Sequence, residues 1–330
     1  MASFRSIEDY KLSIPTMKNL KSFLPLLSVL LLASCTYASS FQYAGEPYLS
    51  QSFSVNGPGD LQVETSGSSI SVSGTSGNTV TVDMYVKYKG KEIDTENAEV
   101  EELLEDYTLD FSQKGNTISI TAKRSGNWGW DSGNKLSLAF QVKVPHEMSS
   151  NIRSSGGSIS LVEISGSHEI NTSGGSVSVS KSDGELMTKS SGGSIRLTEF
   201  RGDVSVQTSG GSVKISQVEG DISIGSSGGS VSLEEIDGSI NASTSGGSIK
   251  AQLINLEKSL TMKSSGGSIK AVVPEGLGLD LDLRGGRVNT SLSNFSGEQK
   301  KDKVVGTING GGIPVSLTSS GGSISLEFNK

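Results

Sequence analysis

A five-residue phrase, Ser-Gly-Gly-Ser followed by Ile or Val, recurs through the second half of this 330-residue chain. Its copies begin at Ser155, Ser173, Ser191, Ser209, Ser227, Ser245, Ser265 and Ser320. The first six starts are 18 residues apart, and the seventh follows a two-residue insertion. Such a short period predicts a solenoid, because one unit cannot bury an apolar face alone and must stack on its neighbours.

Apolar and polar residues alternate on both sides of each glycine pair. In Val204-Ser205-Val206 and Ile222-Ser223-Ile224, for example, every second residue is apolar. This is the period of a β-strand with one buried face. Each period therefore predicts two short strands and two turns, and we expect the glycine pairs to adopt positive φ, which costs glycine little. The predicted fold class is all-β, a β-solenoid of 18-residue, two-strand coils.

The first half of the chain, over 44–145, is β-rich but less regular. Thr65-Ser66-Gly67-Ser68-Ser69-Ile70 resembles a degenerate copy of the repeat. A glutamate-rich segment at 95–106 predicts a short helix, either a solvated insertion or a cap over the open end of the solenoid. We expect the regular solenoid to occupy 146–330. The β-sheet can continue across the boundary near Pro145.

The N-terminus predicts an export signal. A basic start at Met17 precedes an apolar run from Phe23 to Leu32, which is too short to span a bilayer but typical of a signal-peptide core. The run ends in Leu32-Ala33-Ser34-Cys35, which resembles the lipobox of bacterial lipoproteins. The resemblance implies lipidation of Cys35, with 1–34 comprising an over-extended start and the signal peptide, and 35–43 a tether.

The destination follows from the residue after the cysteine. Thr36 stands where an aspartate would indicate inner-membrane retention in many Gram-negative bacteria. We therefore expect a cell-envelope protein held in the outer membrane by the lipid on Cys35, and the side that it faces stays open. The alternative is an ordinary signal peptide or a membrane-anchoring segment with a coincidental cysteine.

The sequence predicts no catalytic, metal or cofactor site. One cysteine excludes an internal disulfide and cysteine zinc sites, and a net charge of −7 disfavours nucleic acid as a partner. His168 occupies a repeat position that is apolar elsewhere, and no nucleophile pattern accompanies it. Asp183, Asp203, Asp221 and Asp237 recur at the second turn, where they are either solvated charges or a weak ladder for divalent ions.

Both tryptophans of the chain, Trp128 and Trp130, stand in one predicted loop. Aromatic rings at a loop tip are a candidate platform for a glycan or protein ligand. The alternative is that they fold back and cover the acidic insertion.

A family resemblance rests on two adjoining features. Val142-Lys143-Val144-Pro145 closes the irregular half, and Ser155-Gly156-Gly157-Ser158-Ile159 opens the Gly-Ser repeats. The chain over 44–330 thereby resembles the DUF4097-type β-strand-repeat proteins, whose adhesin label is an inference from repeat architecture. The resemblance implies an adhesive role and brings no catalytic residues.

Three functions follow as hypotheses. The first is a non-catalytic, adhesin-like envelope module that binds glycan or protein through its repetitive side. The second is a periplasmic scaffold or spacer that self-associates through open strand edges. The third is an enzyme that acts on envelope glycans, which would require a pair of carboxylates at a fixed separation.

Overall fold

The structure, a computed structural model, describes residues 45–93, 97–125 and 136–329. One short helix, α1 (Ala98–Leu104), stands among the strands. The strands of the first half are β1 (Leu49–Ser54), β2 (Gly59–Thr65), β3 (Ser69–Thr75), β4 (Thr79–Tyr88), β5 (Lys91–Ile93), β6 (Tyr107–Lys114), β7 (Thr117–Arg124) and β8 (Leu136–Pro145). In the described residues, no helix is long and apolar enough to cross a membrane.

The strands of the repeat region follow in chain order. They are β9 (Met148–Ser154), β10 (Ile159–Val162), β11 (Ser165–Thr172), β12 (Val177–Ser190), β13 (Ile195–Thr208), β14 (Val213–Glu219), β15 (Ile222–Ser226), β16 (Val231–Asp237), β17 (Ile240–Thr244), β18 (Ile249–Asn255), β19 (Leu260–Ser264), β20 (Ile269–Pro274), β21 (Leu279–Arg284), β22 (Arg287–Thr290), β23 (Phe295–Gln299), β24 (Lys303–Ile308), β25 (Ile313–Ser319) and β26 (Ser323–Asn329).

These strands stack in two parallel ladders, one on each side of the glycine pairs. Ladder A contains the strands that precede the pairs, in the order β7-β2-β9-β11-β12-β13-β15-β17-β19-β25-β21. Ladder B contains those that follow them, in the order β8-β3-β10-β12-β13-β14-β16-β18-β20-β26-β22. The long strands β12 and β13 contribute one half to each ladder.

The register of the ladders confirms the predicted solenoid. Val204 pairs with Ile222, and Ile222 with Ile240, so each apolar side chain lies on its equivalent 18 residues away. The inward side chains form one core that continues from Phe53 to Leu326. Each fully buried Val, Leu or Ile contributes about 1.5–3 kcal/mol, which one coil alone could not realise.

Five successive coils of the repeat region also have a third, short side, which the sequence did not predict. The backbone turns after ladder B at a residue in the left-handed region; these residues are Glu163, Lys181, Glu199, Gln217 and Glu235, with φ between 51° and 59°. Next comes a residue that points into the core, such as Val218 or Ile236. A second turn then follows at a glycine with positive φ, for example Gly220. The left-handed residues are 18 apart, so they stack on one another along the solenoid.

The expectation that the glycine pairs adopt positive φ is wrong for most coils. Among the pairs within the Ser-Gly-Gly-Ser phrases, only Gly157 and Gly175 have positive φ. The second glycine is required instead by the neighbouring coil: a Cβ on Gly211 would lie 2.0 Å from the carbonyl oxygen of Gly193. The pair therefore permits close approach of two backbones.

The coils at both ends are stacked out of chain order. The β2–β3 coil lies between the β7–β8 and β9–β10 coils, so the sheet passes through Pro145 without interruption. At the other end, the last coil of the chain, β25–β26, is inserted between β19–β20 and β21–β22. Antiparallel strands extend beyond these coils: β6 pairs with β7, β4 with β8, and β24 with β21.

Helix α1 lies within the acidic segment where a helix is predicted. Asn97 caps its N-terminus, since Asn97 Oδ1 accepts hydrogen bonds from the backbone N–H groups of Glu99 and Val100. Glu99 and Glu101 occupy the first turn, where negative charge complements the helix dipole. Val100 is completely buried, so the segment contributes to the core as well as presenting charge to solvent.

Candidate functional site

Three residues singled out from the sequence lie outside the described residues. They are the lipidation candidate Cys35 and the two aromatic candidates, Trp128 and Trp130. Their roles stay predictions, and the functional geometry that follows is built from the solenoid itself.

His168 is a core residue. It pairs in register with Leu186, and the next strand places Val204 at the same position, which confirms that the histidine occupies an apolar repeat position. The ring is 1% exposed, and its Nδ1 lies 3.0 Å from Ser150 Oγ. Burial lowers the pKa of His168 to about 4, against weaker opposing effects of Asp183 and the Ile164 backbone. A neutral, enclosed imidazole of this kind has no access to a substrate.

The acidic turn residues are engaged with their neighbours. Asp183 accepts a hydrogen bond from Ser165 at 3.0 Å, and Asp237 accepts one from Asn255 at 2.9 Å. Asp221 lies 2.8 Å from Lys258 Nζ, and this hydrogen bond holds the pKa of Asp221 below its usual range. Among the described residues, no three His, Cys, Asp or Glu side chains cluster as a metal site.

The outer face of ladder A between β2 and β17 forms a shallow depression of about 880 Å³, which we call the polar groove. On β13, β15 and β17 its outward lining consists of neutral side chains and one glycine: Ser205, Gln207, Ser223, Gly225, Asn241 and Ser243. Charged residues, among them Glu64, Arg153 and Lys189, line the part toward β2. The pleat explains this composition, since every residue between two core positions points outward.

Gly225 is unusual within the polar groove. It stands in the middle of β15, its φ is not in the left-handed region, and a Cβ there would meet nothing within 4 Å. Neither conformation nor crowding therefore requires glycine. A glycine in a strand interior is unfavourable and often marks the close approach of a ligand or another backbone.

The lining of the polar groove consists mostly of hydroxyl and amide groups. Hydroxyl and amide groups recur at the spacing of the coils, so they can donate to and accept from a ligand that lies along the ladder. Activation of a serine would require an adjacent base. Of the two histidines, His168 is enclosed in the core, and His146 Nδ1 contacts the Glu163 carbonyl at 2.8 Å.

Comparison with solved structures finds proteins of very low sequence identity. A putative adhesin from Bacteroides fragilis is 15% identical, with 84% of this chain and 96% of that one covered and a TM-score of 0.41. A putative adhesin from Parabacteroides distasonis is 12% identical with the same coverage and a TM-score of 0.30. A putative cell adhesion protein from Clostridium sporogenes is 10% identical, with 86% of this chain and 100% of that one covered and a TM-score of 0.21.

These scores are too low to carry an argument about function, and no curated protein matches the chain. The family comparison is decisive. The profile of the Toastrack DUF4097 family matches residues 61–327, which extend from β2 to β26 and include both ladders. The protein therefore belongs to the Toastrack DUF4097 family.

Proposed function

We propose that this protein is a non-catalytic, adhesin-like binding module of the cell envelope. The polar groove supports the proposal, because it offers hydrogen-bonding groups in register across successive coils, whose strands pair with both neighbours. Many weak contacts of this kind act together when the ligand is itself repetitive. The described residues offer no activated nucleophile and no metal cluster beside the groove.

A lipid on Cys35 is the proposed tether to the outer membrane. The test is metabolic labelling with an alkyne fatty acid, followed by detergent-phase partition of the wild type and of Cys35→Ser. We expect label and detergent partition for the wild type and neither for the variant. Ser39→Ala is the matched control, because it changes the tether and leaves Leu32-Ala33-Ser34-Cys35 intact. Equal labelling of both variants would contradict the lipid anchor.

Exposure on the cell decides between adhesion and a periplasmic role. Intact cells are treated with protease and probed with an antibody to the solenoid, with permeabilised cells as the control. Loss of the signal from intact cells supports attachment to other surfaces. If the signal survives until permeabilisation, attachment to other cells is refuted. The companion measurement is attachment of wild-type and deletion cells to immobilised polysaccharides.

A second candidate function, a self-associating periplasmic scaffold, is favoured by the two ends of ladder A. Within the described residues, β6 pairs only with β7 and β23 pairs only with β24, so each end presents an edge strand. Such edges can join copies head to tail. Light scattering of a concentration series tests this. Growth of the particle that Ser296→Lys abolishes and Ser223→Lys does not would support the scaffold, whereas a monomer throughout would refute it.

A further inference from the structure

Four cations lie in one register column on the outer face of ladder B, and we call them the basic column: Arg196, Lys214, Lys250 and Lys270. Arg196 pairs with Lys214, and Lys250 pairs with Lys270. Ser232 fills the single position between Lys214 and Lys250. All four cationic side chains are exposed. The column therefore crosses consecutive strands, which are about 4.8 Å apart.

This arrangement opposes stability. Like charges placed directly opposite each other on neighbouring strands repel. The repeat does not demand cations here, since other coils carry serine at this position: Ser71, Ser160, Ser178 and Ser325. In the parallel pairs of ladder A, Asn171 lies between Arg153 and Lys189. Thr318 likewise lies between Lys263 and Arg284, although Arg284 faces Lys303 of the antiparallel strand β24.

Carboxylates on the same face offset only part of the charge. Lys214 lies 3.3 Å from Glu234, and Lys270 lies 2.8 Å from Glu327. For Arg196 and Lys250, the described residues place no carboxylate within ion-pair distance. The column is thus a local surplus of positive charge on a chain whose net charge is −7. Repulsion between neighbouring cations lowers stability, and such a loss without a compensating contact is expected at functional sites.

We propose that the basic column binds an anionic polysaccharide that runs along the solenoid axis; this rests on the proposed binding function and names a ligand class for it. Charge complementarity supplies the attraction, and a linear polymer of acidic sugars matches cations set in a line. Thr198 and Ser216 stand next to each other in the adjacent outward column, where they can hydrogen-bond sugar hydroxyls. Gln252 lies two residues after Lys250 on the same strand and can do the same. Nucleic acid fits less well, because its denser charge is repelled by the acidic remainder of the chain.

The test measures binding of the purified full chain to polygalacturonate, with dextran as the neutral polymer. The variant carries Arg196→Ser, Lys214→Ser, Lys250→Ser and Lys270→Ser. Serine is chosen because it occupies this position in other coils. The control removes as many positive charges from exposed residues that lie outside both the basic column and the polar groove, through Lys91→Ser, Lys114→Ser, Lys263→Ser and Arg284→Ser.

We expect the wild type and the control to bind polygalacturonate and not dextran, with affinity that falls as salt rises. The column variant should bind at least tenfold more weakly, with an unchanged or higher melting temperature because repulsion is relieved. An equal loss of affinity in both variants would show that binding depends on net charge alone, and it would overturn the proposal. Binding to dextran, or tighter binding to duplex DNA, would overturn it as well.

Attachment of intact cells separates this proposal from the broader one. If deletion of the protein reduces attachment but the purified chain ignores polygalacturonate, the basic column proposal is overturned and the binding module stands. If the purified chain binds through the column while deletion leaves attachment unchanged, the column proposal stands and the adhesin-like role falls.

Discussion

The hydroxyl of Thr244 donates a hydrogen bond to the carbonyl oxygen of Gly229 in the preceding coil, at 3.0 Å. The same hydroxyl accepts from the N–H of Gly247 in its own coil, at 3.2 Å. Ser264 repeats the arrangement between Gly247 and Gly267, with both distances at 2.9 Å. A buried hydroxyl beside the glycine pair therefore joins consecutive coils at the corner where the two ladders meet.

Thr244→Val should lower the free energy of unfolding by about 1–3 kcal/mol, because it leaves a buried carbonyl and a buried N–H without their partner. Thr208→Val is the matched control. Thr208 stands at the same corner, and its buried hydroxyl has no hydrogen-bond partner among the described residues. Urea titration followed by circular dichroism measures both variants. Equal destabilisation would show that shape, and not the bridging hydroxyl, stabilises the corner.

Gly211→Ala and Gly225→Ala should change stability in opposite directions. A methyl group at Gly211 would lie 2.0 Å from the Gly193 carbonyl, so the coils must separate, which costs about 1–3 kcal/mol or more. A methyl group at Gly225 meets nothing within 4 Å, and alanine there should raise stability by about 0.5–1 kcal/mol. Melting temperatures measure both effects. A destabilising Gly225→Ala would refute the view that this glycine serves no structural need.

His168 should make stability depend on pH. Its folded pKa of about 4 lies below the ordinary value of 6.5, so the unfolded chain binds a proton first as pH falls. The stability associated with neutral His168 is present above pH 6.5 and is lost as pH falls toward 4. The loss amounts to about 3 kcal/mol at one pKa unit per 1.36 kcal/mol.

The measurement for His168 is urea unfolding at pH 7.5 and pH 4.5. His168→Val installs the apolar type found at this register position in β13 and should flatten the difference between the two pH values. His146→Val is the control, because His146 is exposed. The idea fails if His168→Val retains the full wild-type difference.

Trp128→Ala combined with Trp130→Ala tests the aromatic loop predicted from the sequence. If the rings form a ligand platform, the double variant should bind immobilised glycans several-fold more weakly, because stacked aromatic area is lost. Leu49→Ala combined with Ile254→Ala is the control, since these are exposed apolar residues of the solenoid. Unchanged binding would remove the loop from consideration.

The repeat region was predictable from the sequence because its information is local. Alternation in Val204-Ser205-Val206 indicates which residues face the core, and the 18-residue period places Val204 on Ile222. The glycine pair marks a corner for the same reason. Its physical role was misjudged, because the atom that forbids a side chain at Gly211 belongs to Gly193 in another coil. A close contact between coils cannot be predicted from the backbone preference of the residue itself.

For the candidate surfaces, too, local sequence predicts one part and contacts between coils decide the other. The alternation of apolar and polar residues predicts that Gln207 and Lys214 point outward. The basic column, in contrast, exists only because parallel pairing brings Arg196 beside Lys214. The left-handed corners at Glu199 and Gln217 were not predicted, since polar residues rarely identify positive φ.

The sequence by itself determined the strands, their buried faces, the period and the class of fold, because alternation and repeat length act within one coil. Only the tertiary structure decided the order of coils at the two ends, where Ile70 lies beside Ile159 and Ile324 beside Ile269. All coils offer nearly the same apolar pattern and the same backbone donors and acceptors. The choice of neighbour therefore depends on the chain connections and end strands that close the stack, which no single repeat encodes.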